Sequence, residues 1–198
     1  NDVNEIDFKE LPDKFVLKTT HGSGWNVICM NKLNLNLDKV KQKLSEWLKR
    51  NPYYLCREWQ YNVAYPRIIC EELIGENVND YKFFCFNGKV KYIQVDIDRF
   101  TQHKRNLYDT SWNLINIEIN YPRYFDTIAR PTKLTEMITL AEKLSSNILF
   151  VRVDLYFHGD QVYFGEMTLF PGSGFEPFNS YASDLEFGRV LILNGEHD

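Results

Sequence analysis

The chain has 198 residues, 44% hydrophobic and 15% aromatic, which is enough for one large domain or two small ones with a real core. Its 23 Lys and Arg stand against 27 Asp and Glu, so the net charge of −4 leaves no excess positive field for nucleic acid phosphates. No apolar run approaches the roughly 18 residues of a membrane span and no signal peptide opens the chain, so a cytoplasmic protein is expected.

The four cysteines, Cys29, Cys56, Cys70 and Cys85, form no CxxC pair, which argues against a zinc ribbon or redox motif. Cys29, Cys70 and Cys85 lie in apolar strand-like runs and read as core side chains of a reducing compartment. No two of His21, His103, His158 and His197 have metal-ligand spacing. The first residue is not Met, and the chain opens abruptly on a polar stretch, as a fragment of a longer protein would.

In chain order, Phe15–Lys18 and Val27–Met30 read as strands around the Gly-rich loop Thr19–Asn26. Asp38 is placed to cap a helix running to about Arg50, with Val40, Leu44, Trp47 and Leu48 on one face and Pro52 as its stop. Arg67–Glu72 is an apolar strand ending in two acids. Tyr81–Phe86 and Val90–Asp96 flank Asn87-Gly88, a strong hairpin signal. Asp98–Asp126 reads as a charged linking region. Thr132 or Thr135 starts a helix to about Ser145 whose stripe Leu134, Met137, Ile138, Ala141 and Leu144 is core packing. Phe150–Phe157 and Val162–Thr168 form a second hairpin around His158–Gln161, and Asp184–Leu193 a terminal helix. Hairpins with separated helices point to an α+β fold with largely antiparallel sheet.

The second hairpin carries the chemistry. Strand parity sets Val151, Val153, Leu155 and Phe157 on one face and Arg152, Asp154 and Tyr156 on the other, and groups Val162, Phe164, Glu166 and Thr168 together. Placing Asp154 opposite Glu166 puts Arg152 opposite Thr168 and His158 opposite Val162, with a three-residue loop Gly159–Gln161. A two-residue turn without a bulge puts Glu166 on the wrong face, so a three-residue loop or a bulge is required. Two carboxylates this close repel unless a cation lies between them, and hard oxygen ligands suit Mg²⁺. Arg152 beside them suits a transferring phosphoryl group. The same residues also read as a surface ion pair of Arg152 with either acid.

Four further stretches bear on the site. Leu169–Phe175 leads into Pro171-Gly172-Ser173-Gly174, whose amides are suited to an oxyanion. In Lys18–Asn26, Lys18 reaches a phosphate and Gly22 and Gly24 permit close approach, although the P-loop spacing is absent and an ordinary hairpin loop fits as well. Glu71-Glu72-Leu73-Ile74-Gly75-Glu76 suits adenine and ribose recognition, or is a solvated strand end. Asp96, Asp98, Arg99, His103, Lys104 and Arg105 form a polar cluster that binds an anion or is simply solvated.

Taken together, these stretches resemble the ATP-grasp superfamily, and within it the TupA-like family of bacterial surface-polysaccharide proteins. The matching segments are LPDKFVLKTTHGSG at Leu11–Gly24, REWQY at Arg57–Tyr61, PRIICEE at Pro66–Glu72, DYKFFCFNGK at Asp80–Lys89, DRFTQHKRN at Asp98–Asn106 and FVRVDLYFHGDQVYFGEMTLFPGSGFEPF at Phe150–Phe178. They cover most of the chain in order.

The resemblance implies an ATP-grasp fold of two lobes, residues 1–72 with the glycine loop and 73–198 with the metal-binding hairpin, with the nucleotide between them. It implies that Lys18 contacts phosphates or the adenine edge and that His21, Gly22, Ser23 and Gly24 belong to a mobile phosphate loop. Glu71, Glu72, Leu73 and Ile74 become the adenine linker, Glu76 a ribose ligand and Lys82 a phosphate ligand. Arg152-x-Asp154 matches the Arg-x-Asp of amide-forming members such as D-alanine–D-alanine ligases, and Glu166-x-Thr168 their Glu-x-Asn. Thr168 departs from that Asn, so one metal is expected and a second is open. Little of the usual preceding substrate domain fits before Leu11, so that domain reads as missing or truncated.

The implied activity is that of an ATP- and Mg²⁺-dependent carboxylate–amine ligase working through an acyl phosphate. Asp154, Glu166 and Thr168 hold the metal, and Arg152, Gly172, Ser173 and Gly174 stabilise the acyl phosphate. The family context implies joining an amino acid or peptide, as the amine, to the uronic acid of a cell-surface polysaccharide, with Arg99, His103 and Arg105 on the sugar carboxylate. A glycosyltransferase using a sugar nucleotide and a non-catalytic ATP-binding module are the alternatives.

Overall fold

The computed structural model describes residues 2–75, 78–98 and 101–193. The chain divides into two compact units, Asn1–Glu76 and Asn77–Asp198.

The first unit is a three-stranded antiparallel sheet with a helix. Its strands β1 (Phe15–Thr19), β2 (Asn26–Cys29) and β3 (Ile68–Glu72) lie in the order β2-β1-β3. Helix α1 (Leu37–Leu48) is followed by the short turns of helix α2 (Tyr53–Cys56) and α3 (Gln60–Val63). The α1 cap is Asn36, whose side chain accepts from the Lys39 N–H, rather than the expected Asp38. Asp38 instead sits in the first turn, where its charge complements the helix dipole. Val40 and Leu44 of α1 pack on Phe15, Leu17 and Cys29, with Trp47 and Leu48 at the edge of the cluster. Cys70 departs from the core reading: it lies in β3 but is exposed.

The second unit holds a five-stranded antiparallel sheet in the order β6-β5-β4-β7-β8. The strands are β4 (Asp80–Phe86), β5 (Lys89–Ile97), β6 (Lys104–Tyr108), β7 (Phe150–His158) and β8 (Gln161–Thr168). The β4–β5 turn is Asn87-Gly88, both with positive φ, as a two-residue hairpin turn demands. Strand β6 lies inside the expected linking region. Its charged start hides a strand whose Arg105, Asn106 and Leu107 are all buried.

One sheet face is apolar over β4, β5 and β7, with the buried Asn106 of β6 beside Val95 at its edge. Tyr81, Phe83, Cys85, Ile93, Val95, Val151, Val153 and Leu155 pack there against Leu134, Met137 and Ala141 of helix α4 (Leu134–Leu144). Fully burying each large apolar side chain of that stripe contributes about 1.5–3 kcal/mol. The opposite face is split. At one end Phe84, Phe86, Tyr92 and Leu107 pack with Ile117, Ile119 and Phe187 of helix α5 (Tyr181–Gly188). At the other end the same face carries Asp80, Lys82, Gln94, Asp96, Arg105, Arg152 and Asp154, all buried. So many buried charges require internal pairing.

Among the described residues no helix is long and apolar enough to cross a membrane.

Candidate functional site

Strand register assembles the site. Asp154 at the middle of β7 is paired with Lys82 of β4 on one side and with Glu166 of β8 on the other. Arg152 lies opposite Thr168, as expected. The route to that register differs from the three-residue loop. The turn is Gly159-Asp160, with His158 opposite Gln161 and not Val162. A bulge then intervenes: Leu155 pairs with Phe164 while Asp154 pairs with Glu166, leaving Gly165 as the extra residue. The bulge also splits the expected set Val162, Phe164, Glu166 and Thr168. Phe164 falls opposite Leu155, and Glu166 and Thr168 fall on the side of Asp154 and Arg152.

Gly165 is required at the bulge. A Cβ there meets the Asp154 carbonyl oxygen at 2.9 Å and the Tyr156 ring at 3.0 Å. A glycine inside a strand pattern is the sequence signal for such a bulge.

Asp154 is paired with cations of the protein itself. Arg152 donates from Nε to Oδ1 at 2.7 Å and from Nη2 to Oδ2 at 2.8 Å, and Lys82 Nζ pairs with the same Oδ2. Lys82 also pairs with Asp80 at 2.5 Å. Arg152 Nη2 continues to Thr168 Oγ1 at 3.2 Å and to Glu166 Oε1 at 3.4 Å, and Thr168 donates to Glu166 at 3.2 Å. The expected ion pair of Arg152 is therefore real but buried: Asp154 is 1% exposed, and only Glu166 stands largely in solvent. Among the described residues none of these bonds runs from Arg152 Nη1. Burial alone lowers the Arg152 pKa, but the charge and hydrogen bonds of Asp154, with Glu166 and Asp80 behind it, raise it above the usual guanidinium value.

The donor set fits a hard dication that keeps ligands of its own. Asp154 and Glu166 offer carboxylate oxygens from neighbouring strands, and Thr168 adds a hydroxyl. Among the described residues no three His, Cys, Asp or Glu side chains form a metal-holding group. An ion here therefore depends on phosphate oxygens and water to complete its shell, which is the habit of Mg²⁺.

Three residues beyond Thr168 the chain turns through Pro171–Gly174. Gly172 (φ 55), Ser173 (φ 57) and Gly174 (φ 78) are all left-handed, a run that favours glycine and strains Ser173. The Ser173 amide is spent on the Phe170 carbonyl at 2.9 Å and the 3-10 turn itself takes up that of Gly174, so the turn's candidate anion donor reduces to Gly172.

The polar cluster of β5 and β6 differs from its expected role. Arg105 donates Nε to Asp96 at 2.7 Å and Nη1 to the Ile119 carbonyl at 3.2 Å and to Glu176 at 3.1 Å. With Nη2 also on Asp96 at 3.4 Å and the residue 6% exposed, Arg105 has little to offer a sugar carboxylate. His103 lies against Tyr121, ring centroids 3.6 Å apart, with Nε2 3.3 Å from Asp96. Burial alone pushes the Asp96 carboxyl up, but the hydrogen bond and charge of Arg105, then Lys82 and His103, hold it below the ordinary value. Gln94, fully buried, adds its amide N–H bonds to Asp96 at 3.0 and 3.1 Å. Asp80, Gln94 and Glu176 do not stand out in the sequence, whereas Asp96 does as part of the polar cluster. The parity of Asp80 with Lys82, and of Asp96 with Gln94, held the clue for the strand residues. Arg99 lies outside the described residues.

In the first unit, Lys18 pairs with Glu71 at 2.5 Å on the more exposed sheet face, alongside Ile28 and Ile69. Glu72 lies on the other face, and the Leu73 amide extends the β1–β3 pairing to the Lys14 carbonyl at 3.4 Å. Ile74 is half-buried, and Glu76 lies outside the described residues. His21 is turned inward: it is 2% exposed and its Nε2 lies 3.0 and 3.1 Å from the Trp47 and Arg50 carbonyls at the α1 C-terminus. Its ring serves the helix end, not a phosphate. Gly22 makes room for the Trp25 ring, which a Cβ would meet at 2.4 Å, and Trp25 stacks on Trp47. Ser23 and Gly24 are exposed, and Gly24 has φ +72 with open space around it. Of His21–Gly24, those two residues are what the loop presents outward.

A D-alanine–D-alanine ligase from Bacillus anthracis, solved with ATP, is 17% identical at a TM-score of 0.46, covering 88% of this chain and 50% of that one. The ATP-grasp ligase PsnB, solved with a minimal precursor, Mg and ADP, is 13% identical at a TM-score of 0.41, covering 78% and 38%. A 110-residue stretch is 34% identical to part of the DNA mismatch repair protein MutL of Thermotoga maritima, covering 53% of this chain and 18% of that protein. The chain thus spans less than a fifth of that relative's length and about half or less of these two solved chains. The family model for TupA-like ATP-grasp proteins matches residues 1–192, and the chain belongs to that family.

Proposed function

We propose that this chain carries the site of an ATP-dependent carboxylate–amine ligase. The supporting observation is the row Lys82–Asp154–Glu166, flanked by Arg152 and Thr168, ending beside a left-handed Gly-Ser-Gly turn in a TupA-like ATP-grasp chain.

A carboxylate oxygen of the acceptor attacks the γ-phosphorus of ATP, the bond to the β–γ bridging oxygen breaks, and ADP leaves. An amine then attacks the carbonyl carbon of the acyl phosphate, loses a proton, and expels inorganic phosphate. A bound Mg²⁺ would neutralise phosphate charge during that transfer. Asp154, Glu166 and the Thr168 hydroxyl are the groups that would hold it. Arg152 and the Gly172 amide stabilise the transferring phosphoryl oxygens. Lys82, held between Asp80 and Asp154, supplies a fixed positive charge for a phosphate.

In the first unit, Lys18, the Gly22–Gly24 backbone and Glu71–Ile74 are assigned to the nucleotide's phosphates and adenine. The acceptor is a uronic acid of a cell-surface polysaccharide and the amine an amino acid or peptide. Consumption of ATP fits a cytoplasmic place of action.

The test is ADP release that needs ATP and Mg²⁺ together and is stimulated by an amine plus a uronate. The same preparation offered UDP-sugars in competition distinguishes the glycosyltransferase alternative. Displacement of ATP by a UDP-sugar at similar concentration counts against a ligase. Undiminished turnover in Glu166→Gln rejects the metal assignment.

A further inference from the structure

We propose that Glu176, anchored by Arg105, is a positioning residue that sets the shape of the Pro171–Gly174 turn and thereby the ATP-over-ADP preference of the site; this rests on the ligase reading above. Three observations carry it. The turn holds three consecutive residues in left-handed conformation, one of them Ser173, at a cost of about 1–2 kcal/mol for the non-glycine residue. Such a run persists only where its surroundings determine it.

The surroundings are specific. The Glu176 side chain lies directly beneath Gly172, so a Cβ on Gly172 meets Glu176 Cγ at 2.2 Å and Cδ at 2.8 Å. The carboxylate of Glu176 accepts from Arg105 Nη1 at 3.1 Å, and its side chain is 19% exposed. Arg105 is fixed in turn by Asp96, from both Nε and Nη2. A chain of contacts thus runs from β5 through β6 to the turn.

The same Arg105 nitrogen also holds the Ile119 carbonyl, and Ile119 forms a bridge with Phe178, just past the turn. The Asn120 amide donates to the Pro177 carbonyl at 2.8 Å, and the Asn179 amide to Glu118 at 2.9 Å. Arg105 therefore grips both sides of the segment that follows Gly174. The polar cluster, read in sequence as an acceptor-binding patch, acts as the support of the oxyanion turn. If the Gly172 amide meets the transferring phosphoryl group, the turn's shape matters to ATP and not to ADP.

The experiment compares the affinities of MgATP and MgADP for wild type, Glu176→Asp, Glu176→Gln and Glu176→Ala, with a thermal melt of each. A positional role requires length rather than charge. Glu176→Gln then keeps the ATP-to-ADP affinity ratio within about threefold of wild type. Glu176→Asp, one methylene short, lowers that ratio by about tenfold, the worth of roughly one hydrogen bond. If Glu176 only neutralises Arg105, the order reverses: Asp retains the ratio and Gln loses it, which overturns the proposal. Equal losses for ATP and ADP in every variant, tracking the melting temperature, overturn it as well. Asp154→Asn separates this from the ligase reading. If that variant leaves MgATP binding unchanged, or wild type does not bind MgATP, the ligase reading itself fails and the proposal with it.

Discussion

Asp154 faces Glu166 across β7 and β8 because Gly165 is bulged out of the ladder next to them. The two carboxylates would otherwise lie on opposite faces, since the hairpin turn has only two residues. Gly165→Val is therefore expected to cost about 1–3 kcal/mol, because its side chain meets the Asp154 carbonyl. The variant also loses Mg²⁺-dependent ATP binding. Denaturant melts and nucleotide titration check the two effects. Binding at wild-type strength would show that the facing pair is not the metal site.

The Asp154 variant has a structural cost as well as a functional one. Removing the carboxylate leaves Arg152 and Lys82 buried without their shared partner. Breaking a buried pair in this way costs about 3–5 kcal/mol. Asp154→Asn is expected to lower the melting temperature clearly, whereas Glu166→Gln, at a solvent-facing carboxylate, leaves it nearly unchanged. Similar melting temperatures for the two variants would contradict the assigned burial of the pair.

Thr168→Val keeps the side-chain shape and removes one hydroxyl, which accepts from Arg152 and donates to Glu166. Stability should fall by about 1 kcal/mol, and the Mg²⁺ concentration giving half-maximal nucleotide binding should rise. Thr168→Asn, whose side-chain amide oxygen is also a hard ligand, should bind at least as well as wild type. Calorimetry against Mg²⁺ at fixed nucleotide measures both.

Asp96 supplies a pH signature. Its carboxyl is held below the ordinary value of 3.8 by Arg105. A group with a depressed folded pKa contributes stability that is fully present above its unfolded pKa and is lost as pH falls through the folded pKa. Wild type should therefore exceed Asp96→Asn in melting temperature at pH 7 by a margin that holds down to about pH 5 and shrinks steadily toward pH 2. A margin independent of pH would remove the Asp96–Arg105 pair as its source.

Much of this was legible in the sequence, and the failures have physical causes. Apolar periodicity located α1 and α4, and Asn87-Gly88 located the β4–β5 hairpin, because each of those signals is local. The Asp154–Glu166 register was legible because parity leaves few choices once both acids must face together. Strand β6 was not, since Lys104 and Arg105 read as a solvated loop while their partners Asp96 and Ile97 are nine and seven residues away in the register. The inward turn of His21 was invisible for the same reason: the carbonyls it meets belong to the end of a helix more than 25 residues on. Glu176 was passed over because its contact with Gly172 depends on backbone dihedrals that no pattern in the sequence encodes.

The acyl phosphate is the centre of the account, and isotope transfer tests it most directly. A uronate labelled with ¹⁸O in its carboxyl group is incubated with this protein, an amine, ATP and Mg²⁺, and the released phosphate is weighed by mass spectrometry. The account predicts one ¹⁸O atom in each phosphate formed, in step with ADP. ADP formed with unlabelled phosphate, or consumption of a UDP-sugar with no ADP at all, would contradict it.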